Sequence, residues 1–158
     1  MDKHLKYLML LLVTTFSLTF TACGSDDDDE PDSPNDISTA GQLNTVTAGV
    51  SSKNSYNTSY EDVTVDVGCT AHLFLTADYG NIYVNGGKIV YAGDFNQLSS
   101  ITTAPLKFEN SSATWYNNGG CHIILSNTGT YIRLKAELNA DKSAVTFKFQ
   151  TYKPTNIL

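Results

Sequence analysis

The last third of the chain alternates apolar and polar residues with a period of two, and this pattern limits the possible folds most strongly. The even-numbered residues are apolar from Ile132 to Leu138, and the odd-numbered residues are apolar from Val145 to Phe149. Successive side chains of a β-strand point to opposite faces, so each segment predicts a strand with one face against a core and one face in water. Residues 63–67 alternate in the same way and predict a third strand of this kind.

Short segments rich in Asn and Gly separate the predicted strands. Asn-Gly favours the positive φ angles of tight turns, so we expect a hairpin at each of these segments. The segments are Asn85–Gly87, Asn117–Gly120, Asn127–Gly129 and Asn139–Lys142. The continuous apolar runs at 71–77, 89–92 and 123–125 predict strands that are covered on both sides or close a core.

The chain has 158 residues, which is the length of one ordinary domain. Residues 43–158 hold about nine strand-like segments at the spacing of a sandwich or a small barrel. No stretch shows a sustained helical period. The sequence therefore predicts an all-β fold in residues 43–158, a single small β-sandwich or barrel-like domain built from antiparallel hairpins.

The N-terminus has the three-part layout of a secretory signal peptide. Lys3 and Lys6 supply positive charge, residues 8–20 are mostly apolar, and the small residues Thr21 and Ala22 follow. The apolar run is shorter than the roughly 20 residues that a membrane-spanning helix needs. We therefore expect residues 1–22 to be a signal peptide.

The sequence Phe20-Thr21-Ala22-Cys23 resembles the lipobox of bacterial lipoproteins. In that family the signal is cut before the Cys, which then carries lipid on its thiol and its amino group. The resemblance implies that Cys23 is the site of lipid attachment. More than one acyl chain is needed for stable anchoring, because a single chain holds a protein at a membrane only marginally.

An acidic segment follows Cys23. Residues 24–42 contain seven acidic residues and no basic residue, with five acids in a row at 26–30. Like charges repel each other, and Pro31 and Pro34 stop any helix, so we expect residues 23–42 to form a lipidated, disordered tether. An acidic run directly after a lipid Cys also resembles the export signal of surface-exposed lipoproteins in the Bacteroidota. This resemblance implies an outer-membrane protein that faces the cell exterior, and a periplasm-facing lipoprotein is the alternative.

The predicted domain is electrically neutral, with eight basic and eight acidic residues in 43–158. It has no basic stripe for phosphates, which argues against nucleic-acid binding. Cys69 and Cys121 form an even pair in an exported domain, so they are candidates for a disulfide, and two buried free thiols are the alternative. With His72 and His122 they also count as a zinc set, but neighbours on a strand point apart, so we expect no metal site and no cofactor.

One cluster in the predicted domain has the residue types of a binding site. Trp115, Tyr116, Asn117 and Asn118 combine aromatic faces, which stack on sugar rings, with amides that can bind hydroxyls. The alternative is that one aromatic side chain lies in the core and Asn-Asn-Gly-Gly forms a turn.

The composition favours contact over catalysis. Catalysis requires converging titratable groups with shifted pKa values, and the predicted domain has few such groups. We therefore expect a non-catalytic domain that binds an extracellular ligand, such as a glycan or a host or matrix component. An accessory subunit that docks on a larger surface complex through a sheet edge is the second hypothesis. A small hydrolase is the third.

Overall fold

The alternating segments of the sequence form antiparallel strands in the computed structural model, which describes residues 35–39, 41–116 and 119–153. These residues form twelve strands and one short 3-10 helix at Leu98–Ser100, and they contain no α-helix. The strands are Asn35–Asp36 (β1), Leu43–Lys53 (β2), Asn57–Tyr60 (β3), Val63–Asp66 (β4), Cys69–Thr76 (β5), Gly80–Asn85 (β6), Gly87–Asp94 (β7), Thr103–Ala104 (β8), Ser112–Trp115 (β9), Gly120–Ser126 (β10), Tyr131–Leu138 (β11) and Ala144–Tyr152 (β12).

Ten of these strands form one antiparallel sheet that curls into a nearly closed barrel. The strand order is β7-β10-β11-β12-β2-β3-β5-β6-β9, and β4 pairs with β5. The predicted all-β barrel-like fold is therefore confirmed. The structure has twelve strands where the sequence predicted about nine. Part of the difference is that β1 and β8 have only two residues each and show no alternation.

The two ends of the strand order meet, and we call their junction the seam. It lies between β9 on one side and β7 and β10 on the other. The backbone N–H of Ile89 in β7 donates to the carbonyl of Asn110, just before β9, with an N···O distance of 2.8 Å. A backbone bond therefore closes one end of the seam, and the closure protects sheet edges that would otherwise present unpaired groups.

Two of the four expected hairpins are present and two are not. The turns at 127–129 and 139–142 join β10 to β11 and β11 to β12, which are paired neighbours. The turn at 85–87 and the connection from β9 to β10 instead lead across the seam, because β6 pairs with β5 and β9, whereas β7 pairs with β10. Of the predicted turn at 117–120, Asn117 and Asn118 lie outside the described residues. Gly86 has the expected positive φ of 81°. The positive φ of Gly86 thus lies where the chain passes from one edge of the sheet to the other, and not in a hairpin.

The barrel interior holds the larger of two hydrophobic clusters, which we call the barrel core. Its side chains come from both halves of the sheet, and Leu73, Ile82, Ile124, Leu134 and Phe147 are fully buried there. In β11 and β12 the buried residues of this core are the ones that the alternation predicted. The predicted inward-facing residues of these two strands are therefore confirmed. The predicted wet face of β11 is wrong, because Tyr131 and Arg133 on its outer side are buried.

The second cluster, the outer core, covers the outside of β7, β10 and β11. It packs Cys121, Ile123 and Tyr131 of the sheet against Ile37 and against residues of the segment 95–108. β10 is consequently buried on both faces, which explains its continuous apolar run at 123–125.

Residues 35–39 belong to this cover, although they lie within the segment that we predicted to be a disordered tether. Asn35 and Asp36 pair with Ala104 and Thr103, and the backbone N–H of Ile37 donates to the carbonyl of Thr102. The Ile37 side chain is fully buried in the outer core. The ordered part of the chain thus extends to the N-terminal side of the predicted boundary at residue 43.

In the part of the chain that the structure describes, no helix has the length and apolar character needed to cross a membrane.

Replacing Ile37 by Ala tests whether residues 35–39 belong to the folded unit. The substitution removes apolar contacts from a closed cluster, so we expect the free energy of unfolding to fall by about 3 kcal/mol. Urea denaturation measures this change. Leu43→Ala, at a side chain that is 54% exposed, is the matched control and should change the free energy by less than about 0.5 kcal/mol. An equal effect of the two substitutions would contradict the burial of Ile37.

Candidate functional site

The structure describes only some of the predicted site residues. Cys23, Asn117 and Asn118 lie outside the described residues. Trp115 and Tyr116 are described, at the end of β9 and just after it. These two aromatic side chains have different surroundings.

Trp115 is partly buried and packs against the barrel core. Its indole N–H donates to the backbone carbonyl of Ala136 in β11, at 2.9 Å. The ring also lies against Gly80, where any larger residue would collide with it. Trp115 therefore reaches across the seam and helps to close the barrel, which agrees with the core alternative that we considered for this residue.

His122 contributes a second side-chain contact across the seam. Its Nε2 lies 2.9 Å from the carbonyl oxygen of Thr114 in β9. A carbonyl only accepts, so Nε2 carries the proton in this contact. The imidazole is fully buried, and its Nδ1 has no hydrogen-bond partner among the described residues. Burial lowers the pKa of His122, so the ring is neutral near pH 7.

Cys69 and Cys121 are free thiols, so the disulfide that we considered is not formed. Cys69 lies in the barrel core beside Gly87, and Cys121 lies in the outer core. Gly87 pairs with Ser126 at the far end of β10 from Cys121. Five residues of strand separate these positions by about 16 Å, far beyond the reach of a disulfide. The two-thiol alternative is correct because the pair occupies opposite faces and ends of the sheet.

The buried thiols are also poor nucleophiles. Burial raises the pKa of Cys69 to about 11 and also raises the pKa of Cys121. Both thiols are therefore protonated near pH 7, and the thiolate is the reactive form. Among the residues that the structure describes, no group of three His, Cys, Asp or Glu side chains is arranged to hold a metal ion.

A cavity with a volume of about 490 Å³ lies beside the outer core, between β7 and the segment 100–105. Apolar side chains form much of its wall, including Val90, Ala92, Phe95 and Ile123. A specific ligand site needs a few convergent polar side chains. Of the polar side chains in this wall, the hydroxyl of Tyr91 already donates to Asp94, and Ser100, Thr102 and Thr103 carry no charge.

A more suitable surface lies on the opposite half of the barrel, on the outer side of β5 and β6. The rings of His72 and Tyr83 are stacked, with centroids 5.3 Å apart and planes inclined by 12°. Phe74 meets Tyr83 edge to face at 6.2 Å. We call these three residues the exposed aromatic face, since Tyr83 is 37% exposed and the outer core does not include any of the three.

Polar side chains surround the exposed aromatic face. By strand register, Asn81, Asn85 and Thr70 lie on the same outer side of β5 and β6. The Asp62 carboxylate lies 3.1 Å from Nδ1 of His72 and holds the imidazole in place. The face therefore combines flat apolar rings with amides and hydroxyls, which are the groups that orient a polar ligand.

Tyr116 forms a separate aromatic pair near the end of β7. Its ring lies 4.5 Å from that of Tyr91, and it is 49% exposed. The Tyr91 hydroxyl donates to the Asp94 carboxylate at 2.8 Å, and this hydrogen bond raises the pKa of Tyr91 to about 12. Tyr116 therefore contacts Tyr91, whereas Trp115 packs against the barrel core.

Comparison with models of protein families, with curated proteins and with solved structures finds no match to this chain. The fold thus defines a class, an all-β protein with a nearly closed antiparallel barrel.

The exposed aromatic face is not among the sites predicted from the sequence, although the alternation of residues along β5 indicates it. We read residues 71–77 as one continuous apolar run, whereas β5 alternates from Cys69 onward. Reading β5 with a period of two places Cys69, Ala71 and Leu73 inside and His72 and Phe74 outside. The aromatic character of Phe74 concealed this alternation.

The indole hydrogen bond of Trp115 can be tested with Trp115→Phe. This variant keeps a ring but loses the hydrogen bond to the Ala136 carbonyl, so we expect the free energy of unfolding to fall by about 1–2 kcal/mol. Urea denaturation measures the change, and Tyr116→Phe, at a half-exposed ring, should leave it nearly unchanged. A Trp115→Phe variant as stable as the parent would argue against the bond.

The burial of neutral His122 predicts a stability that depends on pH. The pKa is lowered in the folded state, so below its ordinary value of about 6.5 the unfolded chain binds a proton that the folded chain resists. This contribution to stability is complete above about pH 6.5 and is lost as the pH falls. We expect the loss of stability between about pH 7.5 and about pH 5.5 to be smaller in His122→Gln than in the parent. Thermal or urea unfolding at both values measures it, and identical losses would contradict the prediction.

Proposed function

We propose that the protein is a lipid-anchored, non-catalytic module of the cell surface, and that its exposed aromatic face binds an extracellular glycan. The lipid on Cys23 would attach the module to the outer membrane, and the acidic segment would hold it on the exterior side. A periplasm-facing lipoprotein remains the alternative placement.

The observation that carries the proposal is the stack of His72 on Tyr83 on an uncovered sheet face. An aromatic ring offers a flat apolar surface that matches the apolar side of a sugar ring. Asn81 and Asn85 lie on the same side of the sheet, where their amides can donate to and accept from sugar hydroxyls. The stack is also held by Asp62, so little side-chain freedom would be lost on binding.

The titratable groups near this face support binding more than catalysis. His72 and Asp62 contact each other, and the two thiols and His122 point into cores and not onto the face. Hydrolysis of a glycoside generally requires two carboxyl groups on either side of the bond. Asp62 is the carboxylate that the structure places in contact with the face.

The near closure of the barrel makes docking through a sheet edge a less favoured function. Edge docking requires a row of unpaired backbone groups. Such rows are reduced here, because β9 meets β7 and β10 at the seam and the remaining strands of the main order have neighbours on both sides. A protein partner would therefore have to use a side-chain surface.

Tyr83→Ala tests the proposed surface. The chain beginning at Gly24, which retains all described residues, is assayed on a glycan array and then by titration with the best polysaccharide. Because truncation of a central aromatic contact removes much of the binding energy, we expect binding to weaken about tenfold or more. Tyr56→Ala is the matched control, since Tyr56 is 80% exposed but does not belong to the exposed aromatic face.

Two results would overturn the glycan proposal. One is an equal effect of the Tyr83 and Tyr56 substitutions on every glycan that binds. The other is capture from membranes of a stoichiometric protein partner that Tyr83→Ala releases, which would favour the accessory-subunit hypothesis. The placement is tested separately, by mass spectrometry of the mature N-terminus and by protease treatment of intact cells. An unmodified Cys23 would contradict the anchor.

A further inference from the structure

A polar groove lies on the covered half of the barrel, between the segment 96–99 and the outer faces of β11 and β12. Its volume is about 280 Å³. Its wall includes Lys135, Glu137, Lys148 and Gln150 from the strands, with Asn96, Gln97, Leu98, Ser99 and Leu43 around them. The groove is thus lined by ammonium, amide and hydroxyl groups.

The charges in the groove are unequal. The Glu137 carboxylate accepts from Lys148 at 2.6 Å and lies 3.5 Å from the ammonium of Lys135. Burial raises the pKa of Glu137, but the hydrogen bonds and charges of Lys148 and Lys135 together outweigh this effect. The pKa of Glu137 therefore lies below its ordinary value. One carboxylate therefore pairs with two ammonium groups, so the wall of the groove carries one excess positive charge.

Gln150 also lines the groove, and its side chain has a buried, unpaired acceptor. Its side-chain nitrogen donates to the carbonyl of Gly41 at 3.1 Å, which orients the amide. The residue is only 8% exposed, and its Oε1 has no hydrogen-bond partner among the described residues. A buried acceptor without a donor is costly. A ligand with an O–H group could supply that donor.

Arg133 lies beside Gln150 and adds unpaired donors. The two residues are directly opposite in the β11–β12 pair and share the outer face. Arg133 is 2% exposed and donates from Nη1 to the carbonyl of Ile101 at 2.8 Å, but Nε and Nη2 have no partner among the described residues. A buried guanidinium usually pairs with an anion, and here the neighbouring strand position holds a neutral amide.

We propose that this groove binds a hydroxylated carboxylic acid of the size of one acidic sugar residue. The ligand carboxylate would accept from the N–H groups of Lys135 and Lys148 that do not point to Glu137, and a hydroxyl would donate to Oε1 of Gln150. The site is separate from the exposed aromatic face, and the proposal does not depend on the proposed function of that face.

The size and chemistry of the groove favour a sugar acid over other anions. Its volume is near the lower end of the roughly 300–1,000 Å³ that is usual for ligand pockets, which limits the ligand to about one ring. Sulfate and acetate carry the charge but offer no hydroxyl donor to Gln150. Asn96, Gln97 and Ser99 on the opposite wall provide further partners for ring hydroxyls.

Calorimetric titration of the chain beginning at Gly24 with glucuronate tests the proposal, with glucose, acetate, sulfate and a short glutamate peptide as comparisons. We expect glucuronate to bind more tightly than each of the others. Tyr83→Ala should not change its affinity, which separates this site from the exposed aromatic face.

Lys148→Gln removes one ammonium group and should weaken glucuronate binding about tenfold, because a charge-assisted hydrogen bond is lost. Lys53→Gln, at an exposed lysine that does not line the groove, is the matched control and should leave the affinity unchanged. Gln150→Glu should weaken glucuronate binding, because the new carboxylate cancels the excess positive charge of the wall. Its melting temperature should not fall, because the new carboxylate can pair with Arg133.

Several results would overturn the proposal. They are an absence of glucuronate binding to the parent chain, equal affinity for acetate or sulfate, tighter binding of the glutamate peptide, and equal effects of the Lys148 and Lys53 substitutions. Equal affinity for simple anions would indicate an anion site without hydroxyl recognition. Tighter peptide binding would indicate a protein ligand.

Discussion

The closure of the seam is the constraint on which the rest of the structure depends. β6 and β9 form one edge of the rolled sheet, and β7 forms the other. At one end of the seam a backbone bond from Ile89 joins the edges, and at the other end the side chains of Trp115 and His122 reach backbone carbonyls across it. Since an open sheet would leave its inner face in water, this closure is what encloses the barrel core.

The outer surface of the barrel is divided into two unlike halves. The outer core covers β7, β10 and β11 with the segment 95–108 and with Ile37. The outer side of β5 and β6 carries the stacked rings of His72 and Tyr83, and the outer core formed by the described residues does not extend over it. The covered half therefore offers a groove at the margin of its cover, and the uncovered half offers a flat face. Because the outer core covers only one half of the barrel, the protein has two kinds of contact surface.

Predictions from the sequence were reliable where alternating apolar residues mark the inner face of a strand, although the outer face of β11 is covered and not wet. The alternation in β11 and β12 identified their buried residues, because burial on one face of a strand selects apolar residues at every second position. The same reasoning failed for β1 and β8, which are too short to show a period, and for the turn at Gly86. A positive φ specifies a local bend, and it does not specify whether the following strand returns to its neighbour or crosses to another sheet edge.

The sequence by itself determined the all-β class, the strands of the C-terminal meander and the neutrality of the domain, because these follow from local pattern and composition. Tertiary structure alone decided that Cys69 and Cys121 are far apart and that Trp115 spans the seam. Each of these facts depends on which strands become neighbours. That choice arises from the packing of distant segments around a common core, and no local signal encodes it.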